Sequence, residues 1–62
     1  MKHWYIYDRA SRTFLTQVEA ENGSEALMVF ASEMKLVGCT LDGDTLLLKD
    51  GRAFKVKEAP QQ

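Results

Sequence analysis

His3 and Cys39 carry the side chains of this chain that most often do chemistry in proteins, and each residue type occurs once. A zinc site with nitrogen and sulfur ligands would need both side chains, together with carboxylates that complete the coordination. A cysteine nucleophile would need the same histidine in contact with it and a third group that orients the ring. The two residues fall on separate predicted strands without ligand spacing. We therefore expect a packed cysteine, and neither a metal site nor a catalytic pair.

The segment around Gly43 is the second candidate, because Asp42 and Asp44 flank this glycine as acids do in cation-binding loops. A calcium loop requires further oxygen ligands and a distal glutamate at fixed spacing. Leucines Leu46 to Leu48 occupy that region instead, so the pattern favours a hairpin turn. The four glycines are dispersed, which argues against a glycine-rich phosphate loop. The sequence thus predicts a protein that is not an enzyme and that holds no cofactor.

The charged residues are nearly balanced, with nine acids, eight bases and a net charge of −1. This balance argues against a strongly basic nucleic-acid binder and against an acidic mimic of DNA. Along the chain the two signs separate, which usually indicates a solvated face but also defines two candidate surfaces. The acids that follow one another without a base are Glu19, Glu21, Glu25 and Glu33. The bases of the last predicted hairpin are Lys49, Arg52, Lys55 and Lys57.

Two alternating segments near the N-terminus predict an antiparallel hairpin with a turn at residues 8–12. In the first strand, residues 3–7, Trp4 and Ile6 are expected to face the core. The side chains of the opposite face are then His3, Tyr5 and Tyr7. The core-facing side chains of the second strand are expected to be Phe14, Thr16, Val18 and Ala20.

A helix is predicted to follow, because Asn22 can accept a hydrogen bond at the first turn and Glu25 stands three residues later, as in a capping box. Lys35 suits the negative end of the helix dipole, and Gly38 is expected to end the helix. One stripe of the helix is apolar at the 3.6-residue period. Its members are Ala26, Leu27, Phe30, Ala31 and Met34.

Asp-Gly pairs at Asp42 and Asp50 separate three further short strands, predicted at residues 37–41, 45–49 and 52–57. The fold class is therefore α+β: one antiparallel sheet of four to five strands, with one helix on one face and the order β-β-α-β-β-β. Residues 1–58 form the single domain of this prediction, and residues 59–62 form a disordered tail.

The apolar residues exceed what one helix can cover. Leu46, Leu47 and Leu48 are consecutive, although a sheet covered on one side should alternate. A two-residue turn at Asp50 places Leu47 opposite Phe54 on the core face, which leaves Leu46 and Leu48 on the other side. Either loops and the tail cover these leucines, or they contact a second subunit or a partner protein, with Cys39 or Leu41 beside them.

Two binding hypotheses follow. In the leading one, either the acidic helix edge or the leucine-bearing sheet face docks on a partner protein. Its residues are Glu25, Met28, Val29, Glu33, Leu46 and Leu48. In the alternative, an aromatic and basic sheet face binds single-stranded nucleic acid as a small regulator would. Its residues are Tyr5, Tyr7, Lys49, Arg52, Lys55 and Lys57.

The size of the chain and its single cysteine bound its environment. A core of this size is marginal and gains from further burial, so we expect a weak homodimer or a protein partner. One cysteine forms no intrachain disulfide, which suits a reducing compartment. The longest apolar run, Ala26 to Ala31, is far shorter than the ~20 residues that span a bilayer. A cytoplasmic protein without membrane contact is expected.

The junction between Thr16 and Leu27 runs through Val18, Glu19, Ala20, Glu21 and Asn22, and continues with Glu25 and Ala26 into the helix. This junction resembles those of short phage and mobile-element accessory proteins, among them anti-CRISPR inhibitors. The resemblance covers about a fifth of the chain. It implies a stoichiometric inhibitor or regulator that binds a large nucleoprotein enzyme and has no chemistry of its own. That class shares no motif, so the resemblance assigns no binding residue.

Overall fold

The computed structural model describes residues 1–60, which form one antiparallel five-stranded sheet with a helix on one of its faces. The elements in chain order are β1 (Lys2–Asp8), β2 (Phe14–Ala20), α1 (Gly23–Glu33), β3 (Thr40–Asp42), β4 (Thr45–Leu47) and β5 (Ala53–Glu58). The sheet order is β2-β1-β5-β4-β3, so the first and last strands of the chain are neighbours. The predicted α+β fold and its element order are confirmed.

The core lies between α1 and the sheet, and the alternation of β1 is the predicted one. Ile6 is fully buried, and Trp4 packs against the core while its indole Nε1–H donates to the carbonyl oxygen of Ala20 at 3.0 Å. On α1 the buried side chains include Phe30, whose ring meets that of Phe54 edge-on at a centroid distance of 5.2 Å. This apolar layer fixes which face of the sheet the helix covers.

The helix begins as predicted and ends earlier than predicted. Asn22 is the N-cap, and its Oδ1 accepts the backbone N–H of Glu25 at 2.9 Å. At the other end the N–H of Lys35 donates to Ser32 and that of Leu36 to Ala31, which is the Schellman pattern. Lys35 therefore ends the helix, in the left-handed region at φ 54°, and the prediction that Gly38 does so is wrong.

A bulge in β2 moves Phe14 off its predicted face. Ile6 pairs with Thr16 while Tyr7 pairs with Phe14, so Leu15 is the extra residue. Because side chains alternate along a strand, the extra residue reverses the face of everything before it. Phe14 consequently lies beside Tyr5, away from the helix, with ring centroids 5.5 Å apart.

The last hairpin is paired one residue away from the predicted register. Leu46 lies opposite Phe54 and Leu47 opposite Ala53, because the turn holds three residues instead of two. The Gly51 N–H donates to the Leu48 carbonyl at 3.1 Å, and the Leu48 N–H donates to the Arg52 carbonyl at 2.9 Å. This one-residue shift exchanges the two faces of β4. Leu46 is therefore a core residue, only 2% exposed, and not the surface residue that the sequence predicted.

The C-terminal boundary also differs from the prediction. Ala59 is buried, and its N–H donates to the carbonyl of His3 at 2.9 Å, so it belongs to the domain and not to a tail. The rest of the predicted tail includes Gln61 and Gln62, which lie outside the described residues.

Met34, expected within the apolar stripe of α1, is 60% exposed. Residues 1–60 contain no helix that could span a membrane.

Candidate functional site

The face of the sheet opposite α1 carries aromatic and basic side chains in two adjacent columns. In the pairing of β1 with β5, Tyr5 lies opposite Lys57 and Tyr7 lies opposite Lys55. Directly opposed residues on one face of a sheet have Cβ atoms about 4.5–5.5 Å apart. Each tyrosine therefore has a lysine directly opposite it on the neighbouring strand, and both tyrosines are only partly buried.

A concave surface of about 540 Å³ forms around these columns. We refer to it as the aromatic-basic basin. Its lining residues are Tyr5, Tyr7, Arg9, Arg12, Phe14, Lys55 and Lys57. Its volume falls in the range of roughly 300–1,000 Å³ that is usual for ligand sites. Three rings and four cations thus share one open surface, with no carboxylate among the lining side chains.

The turn between β1 and β2 places two of the cations. Asp8 organises this turn, since its Oδ1 accepts the backbone N–H groups of Ala10 at 2.9 Å and Ser11 at 3.1 Å. The Arg12 N–H donates to the Asp8 carbonyl at 2.7 Å, and Arg12 adopts the left-handed conformation at φ 60°. Arg9 and Arg12 were not among the residues predicted for the site. The available signal was a turn with two arginines between two aromatic strands.

The positive charge of the basin is only weakly neutralised. Lys55 Nζ lies 3.7 Å from Asp44 Oδ1, a partly exposed pair that contributes little in water. Within residues 1–60, Arg9, Arg12 and Lys57 form no ion pair. The basin is therefore a local positive patch on a chain whose net charge is −1.

Two of the three rings in the basin pack against each other. Phe14 meets Tyr5 edge-on, with ring planes at 89° to each other, and Tyr5 remains partly exposed. Gln17, opposite Tyr5, lies with its Nε2 2.9 Å from His3 Nδ1. This pair closes the end of the aromatic column and adds hydrogen-bonding groups beside the rings.

Two residues of the predicted nucleic-acid face lie elsewhere. Lys49 lies in the turn between β4 and β5, Arg52 follows that turn, and neither lines the basin. Arg52 is paired with Asp50 through its Nε at 2.8 Å. The backbone N–H of Arg52 also donates to Asp50, which together with the guanidinium lowers the pKa of that carboxyl. The structure thus brings together Tyr5 and Tyr7 with two of the four predicted bases.

The residues predicted to bind a protein do not form one exposed surface. Leu46 is in the core, and Val29 and Leu48 pack partly buried against it. Glu25 is half-buried, and Met28 and Glu33, both exposed, line different depressions. The leucine-bearing sheet face of the leading hypothesis is therefore absent, because the register shift in β4 buries its central residue.

One smaller depression, the apolar hollow, remains between α1 and β3. It has a volume of about 290 Å³ and is lined by Met28, Ala31, Cys39, Leu41 and Leu46. Met28 is 61% exposed and Leu41 36% exposed. Cys39 is half-buried in its wall. In the part of the chain that is described, no three side chains of His, Cys, Asp and Glu group as metal ligands would.

No protein-family model, curated protein or solved structure matches this chain. Its function is therefore argued from the geometry of its own surfaces.

Proposed function

We propose that this protein binds single-stranded nucleic acid through the aromatic-basic basin. The observation that carries the proposal is the pairing of β1 with β5, which sets Tyr5 beside Lys57 and Tyr7 beside Lys55 on the uncovered face. Sheet-based binders of single strands use the same two ingredients, aromatic rings that stack on bases and cations that follow the backbone. Two other ligands fit the basin less well. An uncharged aromatic ligand would leave the cations without a role, and a nucleic-acid duplex would not expose the faces of its bases to the rings.

The proposed division of roles follows from the chemistry of each side chain. Tyr5 and Tyr7 stack on unpaired bases, and stacking tolerates any base because every base has a π-face. Lys55 and Lys57 lie beside the rings and pair with the phosphates between the stacked bases. Arg9 and Arg12 at the turn extend the positive track beyond the end of the aromatic column. Binding is therefore tolerant of sequence and depends on salt.

The test is a salt titration of labelled single-stranded oligonucleotides, both DNA and RNA, followed by fluorescence anisotropy, with a duplex of the same sequence in parallel. With at most four phosphate contacts, the slope of log K against log salt is expected to be about −2.8 or shallower. The single strands should bind more tightly than the duplex. Absence of binding at low salt, or equal binding of the duplex, would contradict the proposal.

Lys57 and Lys49 provide a matched pair of variants. Lys57 lines the basin, whereas Lys49 is an equally charged residue at the remote turn. Lys57→Glu is expected to reduce affinity about tenfold at low salt, since it replaces a phosphate contact with repulsion. Lys49→Glu makes the same change in net charge and should have a much smaller effect. Equal losses from both variants would mean that net charge, and not the basin, determines binding.

A second candidate function, protein binding, is supported by the apolar hollow. Met28 and Leu41 expose apolar surface there, and Asp42 lies next to Leu41 on the edge strand β3. A partner that inserts an apolar side chain beside a basic residue would suit this surface. The inhibitor function implied by the resemblance to phage accessory proteins, and the expected homodimer, both belong to this candidate.

Sedimentation of the purified protein, alone and with Met28→Asp, tests the second candidate in its homodimer form. Self-association that Met28→Asp abolishes would support it, because the substitution places a charge in the contact. A wild-type protein that stays monomeric at high micromolar concentration would remove the homodimer form. The oligonucleotide titration is unaffected by either result, since Met28 lies on the helix side of the sheet.

A further inference from the structure

We infer that Arg12 is a phosphate-binding residue of the basin, and that the β1–β2 turn holds it there in a backbone conformation that an arginine seldom adopts. This inference rests on the proposed function and deepens it. It assigns a role to a residue outside the aromatic and lysine columns. The observations that carry it are the place of Arg12 in the basin wall and its φ of 60°.

The conformation of the turn is fixed by groups other than the arginine side chain. Asp8 accepts two backbone N–H groups through its carboxylate, and its own N–H donates to the carbonyl of Thr13 at 2.9 Å. Ser11 Oγ lies 2.7 Å from Thr13 Oγ1 and reinforces the same loop. The turn therefore demands a left-handed residue at position 12 whatever its side chain, and glycine meets that demand without strain.

The Arg12 guanidinium makes no polar contact that would offset the strain within the described part of the chain. Among residues 1–60, Arg12 takes part in no ion pair, and its side chain donates no hydrogen bond. What the side chain does supply is a planar charged group in the wall of the basin, and such a group matches a phosphate bidentately. A residue that strains the backbone at a binding surface is a recognised feature of functional sites.

Lys35 is the matched comparison within the same chain. It is the other non-glycine residue with positive φ among residues 1–60, at 54°. Lys35 has a structural role, because it is the left-handed residue that follows the C-cap of α1, and its N–H donates to the Ser32 carbonyl at 3.1 Å. It lines a different depression, beside Leu36 and Val37, and not the basin. The two residues share the strain and differ in their position relative to the basin.

The experiment compares Arg12→Gly, Arg12→Lys and Lys35→Gly with wild type, by thermal unfolding and by anisotropy with a single-stranded oligonucleotide. Arg12→Gly is expected to raise Tm by about 4 °C, because it relieves the strain, and to weaken binding about five- to tenfold. Arg12→Lys keeps the charge without the planar fork, so its loss of affinity should be smaller and its Tm unchanged. Lys35→Gly should not weaken binding.

The outcomes separate this inference from the proposed function. Wild-type protein that binds no oligonucleotide removes the proposed function itself. If the wild-type protein binds and Arg12→Gly binds equally well, the inference about Arg12 is overturned. The proposed function would then depend on the rings and lysines of the basin alone. A fall in Tm for Arg12→Gly would overturn the strain argument. If Lys35→Gly loses as much affinity as Arg12→Gly, the inference about Arg12 is overturned, because the loss would not depend on whether the residue lines the basin.

Discussion

The two faces of the sheet differ although one strand, β1, serves both. On the helix side its side chain Ile6 is fully buried in an apolar layer, and no polar or charged residue is buried among residues 1–60. On the other side Tyr5 and Tyr7 alternate with it and stay partly exposed beside lysines. The helix side therefore holds the fold together, while the open side is available to a ligand. Stability and binding should respond to different substitutions.

The largest effect is expected for Leu46→Ala, which leaves a cavity in the core. Removing a buried leucine side chain costs about 2–5 kcal/mol, a large part of the stability of a small domain. Leu47→Ala is the control, because Leu47 is half-buried on the open side and should cost clearly less. Urea denaturation of both variants measures the loss of free energy of unfolding. A larger loss from Leu47→Ala would favour the register predicted from the sequence and contradict the observed one.

The next effect is expected on binding. Tyr5→Ala should weaken oligonucleotide binding by about 1–3 kcal/mol, because it removes one stacking surface. Tyr5→Phe keeps the ring and should bind nearly as well as wild type. Anisotropy at fixed salt distinguishes them, with circular dichroism to show that both are folded. If the alanine variant is folded and binds normally, the tyrosines do not act as stacking platforms.

The smallest effect concerns the helix side again. Asn22→Ala removes the side-chain acceptor for the Glu25 N–H and should lower stability by about 1 kcal/mol. Oligonucleotide affinity at a temperature where the variant is folded should stay unchanged. Thermal unfolding and anisotropy measure the two quantities separately. A clear change in affinity would show that the helix side takes part in binding, and would contradict the assignment of binding to the open face alone.

The sequence predicted the local features of the fold better than its pairings. The cap at Asn22 and the alternation of Trp4 and Ile6 depend on neighbouring residues, and both predictions are confirmed. The bulge at Leu15 and the three-residue turn before Arg52 each shift the pairing by one residue. Single-residue shifts leave no periodic trace, because the apolar pattern of Leu46 to Leu48 fits either register.

The basin could be predicted only in part for the same reason. Tyr5, Tyr7, Lys55 and Lys57 are separated along the chain, and only the adjacency of β1 and β5 brings them together. That adjacency is a long-range pairing on which local patterns carry no information. The grouping of basic residues along the chain also led to a wrong prediction for Lys49 and Arg52. Both belong to the same basic stretch as Lys55 and Lys57, but they lie away from the basin.

Binding of single-stranded nucleic acid to the open sheet face can be mapped residue by residue by NMR. An oligonucleotide is titrated into ¹⁵N-labelled protein, and the backbone amide shifts are mapped. We expect the largest changes in β1, in β5 and in the turn that contains Arg12, with α1 nearly unaffected. Changes confined to α1 and β3, or no changes at low salt, would rule out binding at this face.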